Sequence, residues 1–155
     1  MVHVICFGNS FHGDDAFGAY VFRRLAEKGA LPPGTRLFEA GTSGLTALAF
    51  FANCRKAVLV DAIQSGGTVG EVRRLLPEEV SLPAPGFSTH ELGVAHLLVA
   101  LRIALEGREP PEIVLITAEA EAIRPFTDLL SPAMQAAIER AVLLVRQECM
   151  RGVAR

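Results

Sequence analysis

The stretch Cys6-Phe7-Gly8-Asn9-Ser10-Phe11-His12-Gly13-Asp14-Asp15-Ala16-Phe17-Gly18 decides the fold. An apolar run over residues 2–7 leads into it and a helical pattern over 17–25 leads out, which predicts a buried strand, a tight turn and a helix. In open α/β sheets the loops after the strands line a crevice outside the strands' carboxyl ends, and ligands bind there. The turn therefore delivers two adjacent carboxylates, Asp14 and Asp15, to such a crevice. Either aspartate also has a plain local role open to it, capping the free N–H groups of the helix, worth roughly 0.5–1 kcal/mol. Gly8 and Gly13 suit a bare turn as well as close approach of backbone to a ligand.

Outward from this turn the chain alternates apolar runs with helical patterns. Gly29 is placed to end the first helix, residues 37–40 read as a second strand, and Thr42 and Ser43 are placed to cap an apolar helix over 45–52. Residues 57–60 read as a central parallel strand ending in Asp61, whose carboxylate arrives at the same sheet edge as Asp15. Residues 68–76, interrupted by Arg73 and Arg74, read as an antiparallel edge strand. Pro77, Pro83 and Pro85 then make 76–87 a loop long enough to border a site. Residues 113–116 form a further buried strand, with Glu119 and Glu121 in the loop after it. Ser131-Pro132 opens a last helix with Met134, Ile138, Ala141, Val142 and Val145 on one face.

With 155 residues, half of them apolar and 21% charged, the expected fold is a single three-layer α/β domain over 1–155. Its sheet is mostly parallel, flanked by helices on both faces, with one antiparallel edge strand and a frayed basic tail over about 150–155. A net charge of −2 gives no general affinity for nucleic acid or anionic membranes. No run is long and apolar enough for a membrane span, and the N-terminus shows no secretory signal. Cys6, Cys54 and Cys149 are widely spaced and odd in number, as in a reduced cytoplasmic protein with small apolar fillers.

Ser88-Thr89-His90-Glu91 is the second informative stretch. With Ser88 as N-cap, Glu91 completes a capping box and His90 falls in the first turn, where the helix dipole favours the neutral imidazole that ligates metals. His90 and His96 do not form a zinc-protease helix: six residues turn the second ring about 120° away from the first. His96 is expected to be packed or partly exposed, His3 to be structural, and His12 to lie within reach of a substrate.

Asp15, Asp61 and His90 thus fall at element ends that face one crevice. Two carboxylates and an imidazole suit a borderline divalent ion such as Zn²⁺ or Ni²⁺; without a metal, paired carboxylates serve as general base and acid on water. Competing chemistries lack their motifs. Gly8 and Gly13 have the phosphate-loop interval, but Asp14 stands where lysine is needed, and there is no G-x-G-x-x-G after the first strand and no G-x-S-x-G elbow. Cys6 lies close enough to the turn to remain a candidate nucleophile.

Taken together, Gly8-Asn9, Gly13-Asp14-Asp15-Ala16-Phe17-Gly18, Glu39-Ala40-Gly41-Thr42-Ser43-Gly44, Val60-Asp61-Ala62 and Ser88-Thr89-His90-Glu91-Leu92-Gly93 resemble the hydrogenase maturation protease family. The resemblance implies an aspartic-type endopeptidase that removes a short C-terminal extension from a nickel-iron hydrogenase large-subunit precursor after nickel insertion. It implies that Asp15, Asp61 and His90 contact the metal and carry the site. The nickel is supplied by the substrate, and no stably bound cofactor is expected. The partner is the nickel-loaded precursor, and the protease is expected to be a cytoplasmic monomer. One departure is Glu39-Ala40, where the family commonly has aspartate before the glycine-threonine segment. Two other readings stay open. One is another α/β hydrolase, such as a peptidyl-tRNA hydrolase-like enzyme using Asn9, an aspartate and a histidine, against which the missing basic charge counts. The other is a noncatalytic nickel-handling chaperone.

Overall fold

The computed structural model describes residues 1–29, 31–42, 44–80, 92–121 and 126–153. Among these, the strands β1 (Val2–Phe7), β2 (Thr35–Gly41), β3 (Lys56–Ile63), β4 (Val72–Leu75) and β5 (Glu112–Glu119) form one sheet in the order β2-β1-β3-β5-β4. β1, β2, β3 and β5 are parallel, and β4 runs antiparallel to β5 at the edge. The helices are α1 (Phe17–Lys28), α2 (Leu92–Ala104) and α3 (Pro132–Val153).

Every residue of β1 is buried, because an interior parallel strand is covered on both faces and alternates its side chains between them. Val4, Val58, Val60 and Ile116 face α1 and α3, packing with Phe17, Val21, Met134 and Val145. Ile5, Leu59 and Leu115 face the other side, packing with Phe51 and with Leu97 and Leu101 of α2. The three-layer α/β fold expected from composition is the one observed, and α1 ends at Gly29 as expected.

Three local expectations are corrected. The segment expected as a helix over 45–52 is a 3-10 segment, Thr46–Phe51, with Leu45 at its N-cap and no side-chain cap bond. Thr42 therefore does not cap it, and Ser43 lies outside the described residues. Six residues followed by an extended Ala52 leave no room for an α-helical ladder to pay back its nucleation. Glu119 is the last residue of β5 rather than part of the following loop, and its buried carboxylate accepts from Ser65 N–H (2.7 Å), Gly66 N–H (3.0 Å) and Ser65 Oγ (2.6 Å). α3 continues to Val153, so the expected tail is helical as far as that residue, and 154–155 lie outside the described residues.

Lys56, at the amino end of β3, is 4% exposed, and its Nζ lies 2.8 Å from Glu148 Oε2 and 3.1 Å from Glu112 Oε1. Arg74 (2.9 Å) and Arg151 (2.8 Å) share the other Glu148 oxygen. Burial pushes the Glu148 carboxyl up, but hydrogen bonds from Arg74 and Lys56 outweigh it and hold the group at about 2. This cluster ties α3 to the amino end of the sheet, opposite the crevice.

Candidate functional site

From β1 the sheet grows to β2 on one side and to β3 on the other. The connections from β1 and β3 part there, and at such a switch point an open α/β sheet forms a crevice outside the strands' carboxyl ends. Two glycines bring α1 hard against this edge. A Cβ on Gly18 would sit 1.7 Å from the Phe7 carbonyl oxygen, and one on Gly8 would sit 2.6 Å from the Asp15 carbonyl oxygen. The backbone closes the turn around that contact: Asn9 N–H donates to Asp15 O (3.0 Å) and Asp15 N–H to His12 O (3.2 Å). Asn9 Oδ1 accepts from Phe11 N–H (3.0 Å), so this side chain serves the turn itself.

Asp14 and Asp15 lie in a 3-10 turn, Gly13–Ala16, and do different work. Neither caps α1, whose N-cap is Ala16 with no side-chain cap bond. Asp14 is buried and accepts three hydrogen bonds from the far end of the chain: Ser131 N–H (2.6 Å) on Oδ1, with Ser131 Oγ (2.9 Å) and Glu121 N–H (2.9 Å) on Oδ2. Gly13 N–H to Thr127 O (2.8 Å), Thr127 N–H to Phe11 O (3.2 Å) and Tyr20 OH to Asp128 O (2.7 Å) fasten the same two segments. Between them lies a cavity of about 290 Å³ whose lining includes Gly13, Asp14, Glu121 and Ser131.

Asp15 is buried on the same turn. Its turn packs against β3, whose Asp61 is half-buried near the strand's carboxyl end. Asp61 Oδ1 accepts from Ala62 N–H at 2.8 Å. Burial first, then the charge of Asp15, raise the Asp61 carboxyl from 3.8 to about 8, against the smaller lowering by the Ala62 N–H. Two carboxylates close enough to oppose each other's ionisation share one proton near neutrality, or share a cation in its place.

The structure therefore brings together Asp15 and Asp61. His90, with the whole Ser88-Thr89-His90-Glu91 stretch, lies outside the described residues, and among the described residues no three or more His, Cys, Asp or Glu are grouped to hold a metal ion. His12 is half-buried in the turn beside Thr127, and Glu121 is exposed, its backbone N–H held by Asp14. Glu39 is exposed on β2, opposite Cys6 in register. Cys6 is no nucleophile: complete burial, then the charges of Glu39 and Asp61, push its thiol far up and keep it protonated. His3 is structural, with Nδ1 2.6 Å from Phe50 O, and His96 is exposed on α2. Sequence reasoning missed the role of Asp14, whose partners stand more than a hundred residues away.

Comparison with known proteins follows this geometry. A family model described as hydrogenase maturation protease matches residues 19–148. The hydrogenase expression/formation protein HupD of Rhodobacter capsulatus is 29% identical over 143 residues, 91% of this chain and 67% of that protein. HoxM of Cupriavidus necator, described in the same words, is 29% identical over 144 residues, 92% of this chain and 70% of that protein. Among solved structures, the hydrogenase maturating endopeptidase HybD from E. coli superposes with a TM-score of 0.81 at 27% identity, covering 97% of this chain and 93% of that one. The NiFe hydrogenase maturation protease HybD from Thermococcus kodakarensis gives 0.77 at 28%, covering 96% and 98%.

Proposed function

The chain belongs to the hydrogenase maturation protease family, and on that premise we propose that it removes the C-terminal extension from a nickel-iron hydrogenase large-subunit precursor once nickel is in place. The observation that supports this reading most directly is the coupled pair Asp15 and Asp61 at the switch point of the sheet. Near neutrality the pair holds a proton that a divalent cation can replace, so two free charges are disfavoured there and a nickel-bearing precursor relieves them. Asp15 and Asp61 engage the substrate's nickel, and His90, assigned from the sequence reading and the resemblance, completes the set with a neutral imidazole. The peptide bond next to the metal then meets water activated by the metal or by a carboxylate. The carboxylate takes the water's proton as the carbonyl is attacked and returns it to the leaving amine, an aspartic-type cycle. The cavity beside Asp14 gives the departing extension a place to lie. A cytoplasmic monomer completes the proposal, in keeping with three free cysteines.

The test is mass spectrometry of a nickel-loaded large-subunit precursor incubated with the parent protein and with folded Asp15→Asn, Asp61→Asn and His90→Ala variants. Release of one short C-terminal peptide by the parent alone, and only from nickel-loaded precursor, is the expected result. A precursor cut equally well without nickel, or cut by all three variants, overturns the mechanism.

A further inference from the structure

β3 and β5 pair in parallel with Asp61 directly opposite Thr117. Leu59 and Leu115, two residues earlier on each strand, belong to the core on the α2 side, so Asp61 and Thr117 stand on that side as well. Neighbouring strands lie about 4.8 Å apart, which puts the two side chains within reach of one another. Thr117 is 1% exposed, and its Oγ1 has no hydrogen-bond partner among the described residues.

That hydroxyl is out of place on structural grounds. A buried strand position beside an apolar layer is served better by valine, which has the same shape and no polar atom to desolvate. Thr117 pairs on its other side with Arg73, but the Arg73 guanidinium is turned to Ser65 Oγ at 3.0 Å. On Asp61, Oδ1 is taken by the Ala62 N–H, which leaves Oδ2 as the acceptor nearest to hand. One staggered step about χ1 moves a threonine's hydroxyl by about 120°, so the donor can be brought round without moving the strand.

We propose that Thr117 is a positioning residue for the cleavage site, its hydroxyl donating to Oδ2 of Asp61 when the precursor fills the crevice and so fixing how that carboxylate faces the substrate. The assignment rests on the endopeptidase reading above.

Thr117→Val and Thr117→Ser are compared with the parent on the nickel-loaded precursor, with kcat and KM taken from peptide release and Tm from thermal unfolding. Val removes an unpartnered polar atom, so its Tm is expected to rise, by about 2 °C or more. Its kcat is expected to fall about tenfold, with KM within about twofold, and Ser is expected to recover most of the loss. A rise in Tm with kcat unchanged overturns the proposal, as does a loss of kcat that Ser shares, which would mark a packing role. A parent that leaves every nickel-loaded precursor whole overturns the endopeptidase reading and this role with it, whereas a Val variant that cuts like the parent overturns the role alone.

Discussion

Replacing Asp61 by asparagine is expected to stabilise the protein in mild alkali and to change little in acid. Burial and the charge of Asp15 raise the Asp61 carboxyl from 3.8 to about 8. Below pH 3.8 the group is protonated in folded and unfolded chains alike and carries no penalty. As the pH climbs from about 4 to about 8 the unfolded chain gives up this proton while the folded one keeps it, so stability falls; above about 8 both forms are ionised and the loss levels off. A gap of about 4 pH units, at about 1.36 kcal/mol each, sets a ceiling near 6 kcal/mol. Asp61 is only half-buried, and screening by water brings the expected effect to about 2–4 kcal/mol, or about 4–16 °C in Tm for a domain of this size. Urea unfolding of parent and Asp61→Asn with a chelator present, from pH 4 to pH 9, measures it directly. The two curves should meet at the acid end and part steadily above pH 5, with the variant on top. Parallel curves, or a variant less stable than the parent at pH 9, would refute the coupling of Asp61 to burial and to Asp15.

Gly18→Ala places a methyl 1.7 Å from the Phe7 carbonyl oxygen, a backbone atom that no rotamer change can move aside. A loss of more than about 3 kcal/mol in urea unfolding is expected, and a loss within 1 kcal/mol would mean that α1 can slide along the sheet. Glu148→Gln leaves Lys56 buried with, among the described residues, only the half-exposed Glu112 as a carboxylate partner, and is expected to cost about 3–5 kcal/mol at pH 7. Because the Glu148 carboxyl is held down at about 2, its contribution is present above its ordinary 4.5 and fades as pH falls through 2, so parent and variant should converge in strong acid.

The sequence made the fold legible where one rule acts alone. Residues 2–7, 57–60 and 113–116 are continuous apolar runs, and only a sheet covered on both faces asks for that, so β1, β3 and β5 were found in place. Arg73 and Arg74 likewise marked β4 as an edge. The segment after Gly44 was misread because an apolar pattern does not separate an α-helix from a short 3-10 turn; six residues and a missing cap decided that locally. That Asp15 and Asp61 would come near one another was readable because strand ends announce a crevice. Asp14 was not, since its neighbours in sequence point to a helix cap while its partners, Glu121 and Ser131, are set by tertiary packing. Nothing beside Lys56 in sequence signals its burial either, since its partner Glu148 stands 92 residues away. Thr117 carried no signal at all: within an apolar strand a threonine is an ordinary residue, and only the register against Asp61 makes it otherwise.

The anchoring of Asp14 to Ser131, 117 residues downstream, also bears on when a newly made molecule becomes competent. Both carboxylates of the crevice have been synthesised once the ribosome passes Asp61, yet the two hydrogen bonds that Asp14 accepts from Ser131 form only when the start of α3 emerges. β5, which separates β3 from the edge strand, is late as well. The chain therefore makes its reactive parts first and its fastening last. A message cut short before α3 is expected to yield a chain that carries Asp15 and Asp61 but lacks the Ser131 anchor of the turn beside them.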